Sequence, residues 1–205
     1  MNVIYKILVI CIFVFTLPFQ VIIGLLVFMF CGFPIFFMQR RIGKDGRSFV
    51  MYKFRTMIVN ADKLQSKYKS RNISDGPVFK IPNDPRFTRL GKFLSHTGLD
   101  ELPQIWNVLR GDMAFIGPRP LPESESRKLA PWMRARHKAL PGIISPAILS
   151  GRYHEDFDAW MRSDVDYVAH KSTRKDMMLA CRSVYFLLLL LRAEISRTRS
   201  TKGAV

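Results

Sequence analysis

Negative charge is scarce in this 205-residue sequence: 16 acidic side chains stand against 32 lysines and arginines, a formal net charge of +16. Near the start, charge of either sign is almost missing. Lys6 is the only charged residue before Arg40, and Ile7 to Met38 runs 32 residues without one. Cysteine is rare too. Cys11, Cys31 and Cys181 show no C-x-x-C spacing, and two of them lie in the apolar run. That excludes a disulfide framework and a cysteine zinc site; the three read as small hydrophobes in a reducing compartment. No internal repeat is present. What remains is a basic part, with 31 basic and 16 acidic residues from Arg40 onward, behind an apolar leader. Such a balance suits anionic partners: nucleic acid, anionic lipid or phosphorylated substrates, with the leader tilting the choice towards a membrane surface.

As one straight helix the leader would be about 48 Å long, against a hydrocarbon core of about 30 Å. Pro18 lies near its middle with Gln20 close by, and Gly24, Gly32 and Pro34 punctuate its second half. Two readings stand: a tilted span ending near Gly32 with Arg40-Arg41 on the cytoplasmic side, or a helix broken at Pro18 that enters and leaves by one face. A cleaved signal peptide fits less well, because the run is too long and no A-x-A site follows.

The centre of the chain carries the densest signal, Thr97-Gly98-Leu99-Asp100-Glu101-Leu102-Pro103-Gln104-Ile105-Trp106. Thr97 and Asp100 are both N-cap candidates, and Pro103 favours a helix start near Asp100 that runs to Gly111. Read alone, this is a capped helix with acids in its first turn; a phosphate held there by a metal ion is the functional alternative. Upstream, Ser48 to Met57 alternates, with Val50, Tyr52 and Phe54 on one face and Lys53 and Arg55 on the other. Two cations on one strand face suit a diphosphate, or simply a solvated face. Ala61 to Tyr68 reads as a short polar helix. Arg86, Arg89 and Lys92 recur at helical spacing as an anion-facing stripe or an ordinary basic face.

Downstream, Gly117-Pro118-Arg119-Pro120 locks one arginine between two prolines, a rigid phosphate clamp. Glu123 to Leu140 reads as an amphipathic basic helix with Trp132 at a membrane interface, and His137 as a surface histidine in a basic run, with a catalytic role the alternative. Pro141 to Pro146 is turn-rich. Glu155 to Ala169 is expected to be helical, with most of its acids on a solvated face. Val184 to Leu191 is apolar but too short to span, hence an interfacial or a core helix. Arg197 to Lys202 is expected to be a disordered basic tail.

Several stretches together resemble one family, the bacterial sugar transferases of the monotopic phosphoglycosyl transferase type. They are Tyr52-Lys53-Phe54-Arg55-Thr56-Met57, Asp84-Pro85-Arg86-Phe87-Thr88-Arg89-Leu90-Gly91, Leu99 to Met113, and Gly117-Pro118-Arg119-Pro120-Leu121. The resemblance covers about residues 30 to 125 and extends more weakly to Tyr167-Val168. It implies transfer of sugar 1-phosphate from a UDP-sugar to undecaprenyl phosphate with release of UMP, at the start of capsule, exopolysaccharide, O-antigen or glycoprotein glycan assembly. It implies that Asp100 attacks the β-phosphorus to form an aspartyl phosphosugar, and that Glu101, with Asp100, holds Mg²⁺. It also implies that Lys53, Arg55, Arg86, Arg119 and Arg152 contact phosphate or substrate, with Pro18, Pro118 and Pro120 structural. Asp164 matches a weaker family position. The sequence departs from the family at Ser95, where an arginine is usual, at Leu17 before Pro18, and at Gly142 to Pro146.

The expected fold is α/β, mostly helical with short strands. A re-entrant membrane hairpin over 1–38 leads into a catalytic domain over 39–195 with interfacial amphipathic helices, then a basic tail over 196–205. The chain is expected to be the small type without an added membrane bundle, at the cytoplasmic face of the bacterial inner membrane. Its expected partners are UDP-sugar, undecaprenyl phosphate, membrane lipid and a second copy of the chain, and not nucleic acid. A non-catalytic anionic-lipid binder and an inactive family member are the alternatives.

Overall fold

A computed structural model describes residues 3–150 and 156–202. The apolar leader forms α1, Val3–Cys31, long and apolar enough to cross a membrane. Helical backbone continues through Pro18. Proline removes an amide donor from the helical ladder. Side chains add bonds around it, Thr16 Oγ1 donating to the Phe13 carbonyl at 3.1 Å and Gln20 Nε2 to Thr16 Oγ1 at 3.1 Å. Gly32, at φ +72°, ends the helix, and Arg55 donates to the Cys31 and Gly32 carbonyls. A cation on the last carbonyls satisfies orphan acceptors and the negative helix end together.

Both ends of α1 rest on the same body. Val9 packs with Met51, Ile105, Val108 and Met113, while Ile23 and Val27 pack with Phe54 and Leu94. Between these contacts Val14, Phe15, Leu17, Phe19, Val21 and Ile22 are exposed.

The body begins with an antiparallel hairpin, β1 Phe36–Ile42 and β2 Ser48–Phe54, in register from Phe36↔Phe54 to Ile42↔Ser48. Its basic turn uses Asp45 and Gly46 at positive φ. Met51 and Phe54 point to opposite faces, and both are buried because helices cover the two sides. Turns and a 3₁₀ segment, Ser66–Arg71, replace the polar helix expected over Ala61 to Tyr68. α2, Arg89–Thr97, starts at Thr88, whose hydroxyl accepts from Gly91 N at 2.9 Å. Only glycine fits at Gly91, since a Cβ there would lie 1.8 Å from the Thr56 carbonyl oxygen.

α2 ends at Gly98, φ +72°. Thr97 Oγ1 bonds back to the Phe93 and Leu94 carbonyls, so it closes this helix rather than capping the next. A 3₁₀ turn, Leu99–Glu101, precedes α3, Gln104–Arg110. The helix therefore starts at Gln104, not near Asp100, and the acidic pair occupies the turn before it. Gly111, φ +81°, ends α3 as the sequence suggests.

β3, Ala114–Ile116, pairs in parallel with β4, Gly142–Ile144, a strand inside the segment expected to be turn-rich. Between them the expected long amphipathic helix is divided into α4, Glu123–Ser126, and a 3₁₀ stretch, Pro131–Lys138, because Pro131 cannot continue a helical ladder. α5, Pro146–Leu149, is followed by α6, Phe157–Ala169, capped by Asp156 accepting from Ala159 N. α7, Thr173–Lys202, keeps residues 196–202 helical where a disordered tail was expected. Val184, Tyr185 and Leu187 to Leu189 on it are exposed.

Candidate active site

Asp100 and Glu101 face Lys53 from β2 and Arg119 from the loop after β3. Asn107 on α3 sets this register. Its Nδ2 donates to the Val50 carbonyl at 2.7 Å and its Oδ1 accepts from Tyr52 N at 3.2 Å, so one amide side chain serves as a strand partner for β2. Sequence reading missed Asn107. An asparagine in the middle of a buried helix needs side-chain partners, and that was the available signal.

Charge within the cluster is shared unevenly. Lys53 Nζ lies 2.5 Å from Glu101 Oε1 but 3.7 Å from Asp100 Oδ2, and Arg119 Nη1 donates to Glu101 Oε1 at 3.1 Å. Burial, helped by the charge of Glu101, pushes the Asp100 carboxyl up to about 6 against the pull of Lys53 and Arg119. Burial would raise Glu101 as well, but the charges and hydrogen bonds of Lys53 and Arg119 outweigh it and hold Glu101 at about 2. Two neighbouring carboxylates whose environments separate their ionisation are suited to different tasks.

The loop carrying Arg119 is fixed through its carbonyls. Pro118 O accepts from Gly142 N at 3.0 Å, Arg119 O from Arg136 Nη2 at 2.6 Å, Pro120 O from Arg41 Nη1 at 2.8 Å, and Leu121 O from Ile42 N at 3.0 Å. Gly142 permits the close approach at the loop's base, since a Cβ there would lie 2.1 Å from Gly117 N.

The other expected site residues are placed elsewhere. Arg55 is buried against the end of α1, where it donates to the Cys31 and Gly32 carbonyls, while Lys53 lies on the acidic pair. Arg86 is folded onto Asp84, with Nε to Oδ1 at 3.0 Å and Nη2 to Oδ2 at 2.6 Å, and donates Nη1 to the Ala61 carbonyl at 3.1 Å. Those contacts overcome the burial that would raise Asp84 and keep its carboxyl below the usual range. The Asp84-Pro85-Arg86 stretch thus staples a loop, and the stripe expected with Arg89 and Lys92 is not formed. Arg152 lies outside the described residues. Asp164, a weaker family position within an acidic block read mostly as a solvated face, is fully buried against Arg136. His137 is half-buried; burial and the neighbouring Arg136 and Arg134 hold it down at about 4, so it is neutral at pH 7.

Among the described residues no group of three or more His, Cys, Asp or Glu side chains forms a cage for a metal ion. Two adjacent carboxylates do match what Mg²⁺ takes from a protein when phosphate oxygens and water complete its shell. The donor set therefore fits a magnesium ion shared with a diphosphate.

The chain belongs to the bacterial sugar transferase family: that family's model matches residues 2–189. It is 38% identical over 159 residues to the galactosyl transferase CpsE of Streptococcus agalactiae, covering 77% of this chain and 35% of CpsE. It is 36% identical over 180 residues to a UDP-galactose-lipid carrier transferase of Erwinia amylovora, covering 84% and 37%. The exopolysaccharide production protein ExoY of Sinorhizobium fredii matches at 32% over 170 residues, covering 81% of this chain and 75% of ExoY. The chain thus spans about a third of the length of the first two relatives and three quarters of the third.

Proposed function

We propose that the protein transfers a sugar 1-phosphate from a UDP-sugar to undecaprenyl phosphate, releasing UMP and starting the assembly of a surface polysaccharide. The observation that carries this reading is the uneven acidic pair: Glu101 holds both nearby cations, and Asp100 beside it is buried at 6% exposure with its carboxyl raised. A weakly solvated carboxylate whose cation, Lys53, stands 3.7 Å off and is bonded to Glu101 is a suitable nucleophile. In the proposed reaction an Asp100 oxygen attacks the β-phosphorus, the bond from that phosphorus to the bridging oxygen breaks, and UMP leaves with the electron pair. The phosphate oxygen of undecaprenyl phosphate then attacks the same phosphorus and releases Asp100 as carboxylate.

Lys53 and Arg119 are each one exchange of partner away from the diphosphate, since both now rest on Glu101. Bound Mg²⁺ would neutralise diphosphate charge, with Asp100 and Glu101 as its protein ligands. Arg55 and Arg86 are assigned to holding α1 and the 80s loop, not to phosphate. The altered Ser145-Pro146 segment is assigned to sugar or nucleotide choice.

A helix held to the body near both ends has no free end to send across a bilayer. α1 is therefore read as dipping its exposed middle into one leaflet. Arg40-Arg41 next to it favour the cytoplasmic face.

The test is UMP release from a panel including UDP-galactose and UDP-N-acetylgalactosamine, with undecaprenyl phosphate, with and without EDTA. Wild type is expected to release UMP only with magnesium, and Asp100→Asn to release none. Full activity in Asp100→Asn would sink the mechanism. No release with any sugar would leave a binding protein.

A further inference from the structure

Arg119 sits between two residues without an amide hydrogen, so its backbone cannot be held by neighbouring N–H groups in the usual way. It is held by its carbonyl instead. Arg136 supplies that bond, Nη2 to Arg119 O at 2.6 Å, while Nε and the same Nη2 reach Asp164 Oδ2 at 3.1 and 2.6 Å. The guanidinium also lies over the Trp160 ring, 5.8 Å from its centroid. Arg136 and Asp164 are 2% and 0% exposed and come from different elements, the 3₁₀ stretch and α6. A planar fork fixed on one edge by a carboxylate and on one face by an indole has almost no freedom left at the nitrogen that meets Arg119.

We infer that Arg136, backed by Asp164, is the positioning residue for Arg119: it fixes the backbone from which the Arg119 guanidinium reaches the acidic pair. The inference rests on the reading of Arg119 as a phosphate-holding side chain. The bond needs both functions of the fork at once. Lysine at 136 keeps a cation beside Asp164 but offers one nitrogen, which cannot serve the carboxylate and the Arg119 carbonyl with the same geometry.

A double-mutant cycle on the full chain tests it. Arg136→Lys is measured alone and in an Arg119→Ala background, using UDP-galactose or the sugar of the panel that reacts fastest. Arg134→Lys, an exposed neighbour on the same 3₁₀ stretch, is the control. The expected result is a loss of about tenfold in kcat/KM for Arg136→Lys alone and of less than about twofold once Arg119 is already Ala, as coupled residues require. An equal loss in both backgrounds, or none in the first, overturns the inference.

A second readout stands without activity: the Arg119 side-chain Nε–H resonance in ¹⁵N-labelled protein. It is expected to shift in Arg136→Lys and stay in place in Arg134→Lys. An unmoved resonance in Arg136→Lys overturns the inference even where wild type transfers no sugar; a shifted one in an inactive wild type upholds the positioning and rejects the function instead.

Discussion

Two buried carboxylate sites lie on either side of the Pro118–Pro120 loop, and Arg119 belongs to both, with its side chain in one and its carbonyl in the other. Behind the loop, Asp164 meets a single guanidinium through two bonds, one anion to one cation, closed to water. In front, two carboxylates meet two cations, but both cations settle on Glu101. Asp100 is left with the nearest charge at 3.7 Å and a raised carboxyl. Burial raises the Asp164 carboxyl too, so what makes the rear pair a joint is its enclosure at 0% exposure. Unequal pairing leaves one group in reserve, and that is where chemistry is expected.

The sharpest way to break this contrast is Asp100→Asn. UMP release should fall by at least about 10³-fold in kcat/KM, as for loss of a covalent nucleophile. Asp112→Asn, beyond the other end of α3, should stay within about twofold of wild type.

Next is the rear pair. Arg136→Met leaves Asp164 buried and unpaired, and urea unfolding should show a loss of about 3–5 kcal/mol. The double variant Arg136→Met/Asp164→Leu should recover most of that stability, since removing both charges removes the penalty. A double variant no better than the single would refute the balanced-pair reading.

The two front carboxylates should respond with opposite sign. Asp100, raised from 3.8 to about 6, adds stability that is full below its unfolded value and is lost as pH rises through about 6. Its replacement by Asn should therefore stabilise the apo protein at pH 7 by about 1–3 kcal/mol and do little at pH 4. Glu101, lowered from 4.5 to about 2, adds stability present above its unfolded value and lost as pH falls through about 2. Glu101→Gln should destabilise at pH 7 by a similar amount, read by the same urea titrations. In catalysis, kcat/KM should drop about tenfold per unit once pH falls below the Asp100 value near 6, with Glu101 still charged.

The smallest effect belongs to the half-exposed Arg110–Asp112 pair, 3.3 Å apart. Arg110→Ala should change unfolding free energy by under about 0.5 kcal/mol.

What the sequence disclosed and what it hid follow the same division. Asp100, Glu101, Lys53 and Arg119 were legible because they stand in dense local motifs, and the charge-free leader because apolar length needs no partner to be recognised. The Gly111 helix end was legible from local backbone chemistry. The α3 start was misplaced because Asp100, a good cap by type, lies inside a 3₁₀ turn that precedes the helix. Arg55 and Arg86 carry the same charge as the site cations, and only the fold assigns them to a helix end and a loop staple. Asp164 looked like one acid among several on α6. Its partner stands 28 residues away, a separation at which no periodicity operates.

α1 touches the body at Val9 and again at Val27. These supports lie about 27 Å apart along the helix. Two supports remove freedoms that one would leave: the body cannot pivot about a single end of the helix, nor slide along it without breaking both contacts. Whatever surface receives the exposed middle of α1 therefore also sets the height and tilt of Asp100 above it, with no separate hinge between anchor and site.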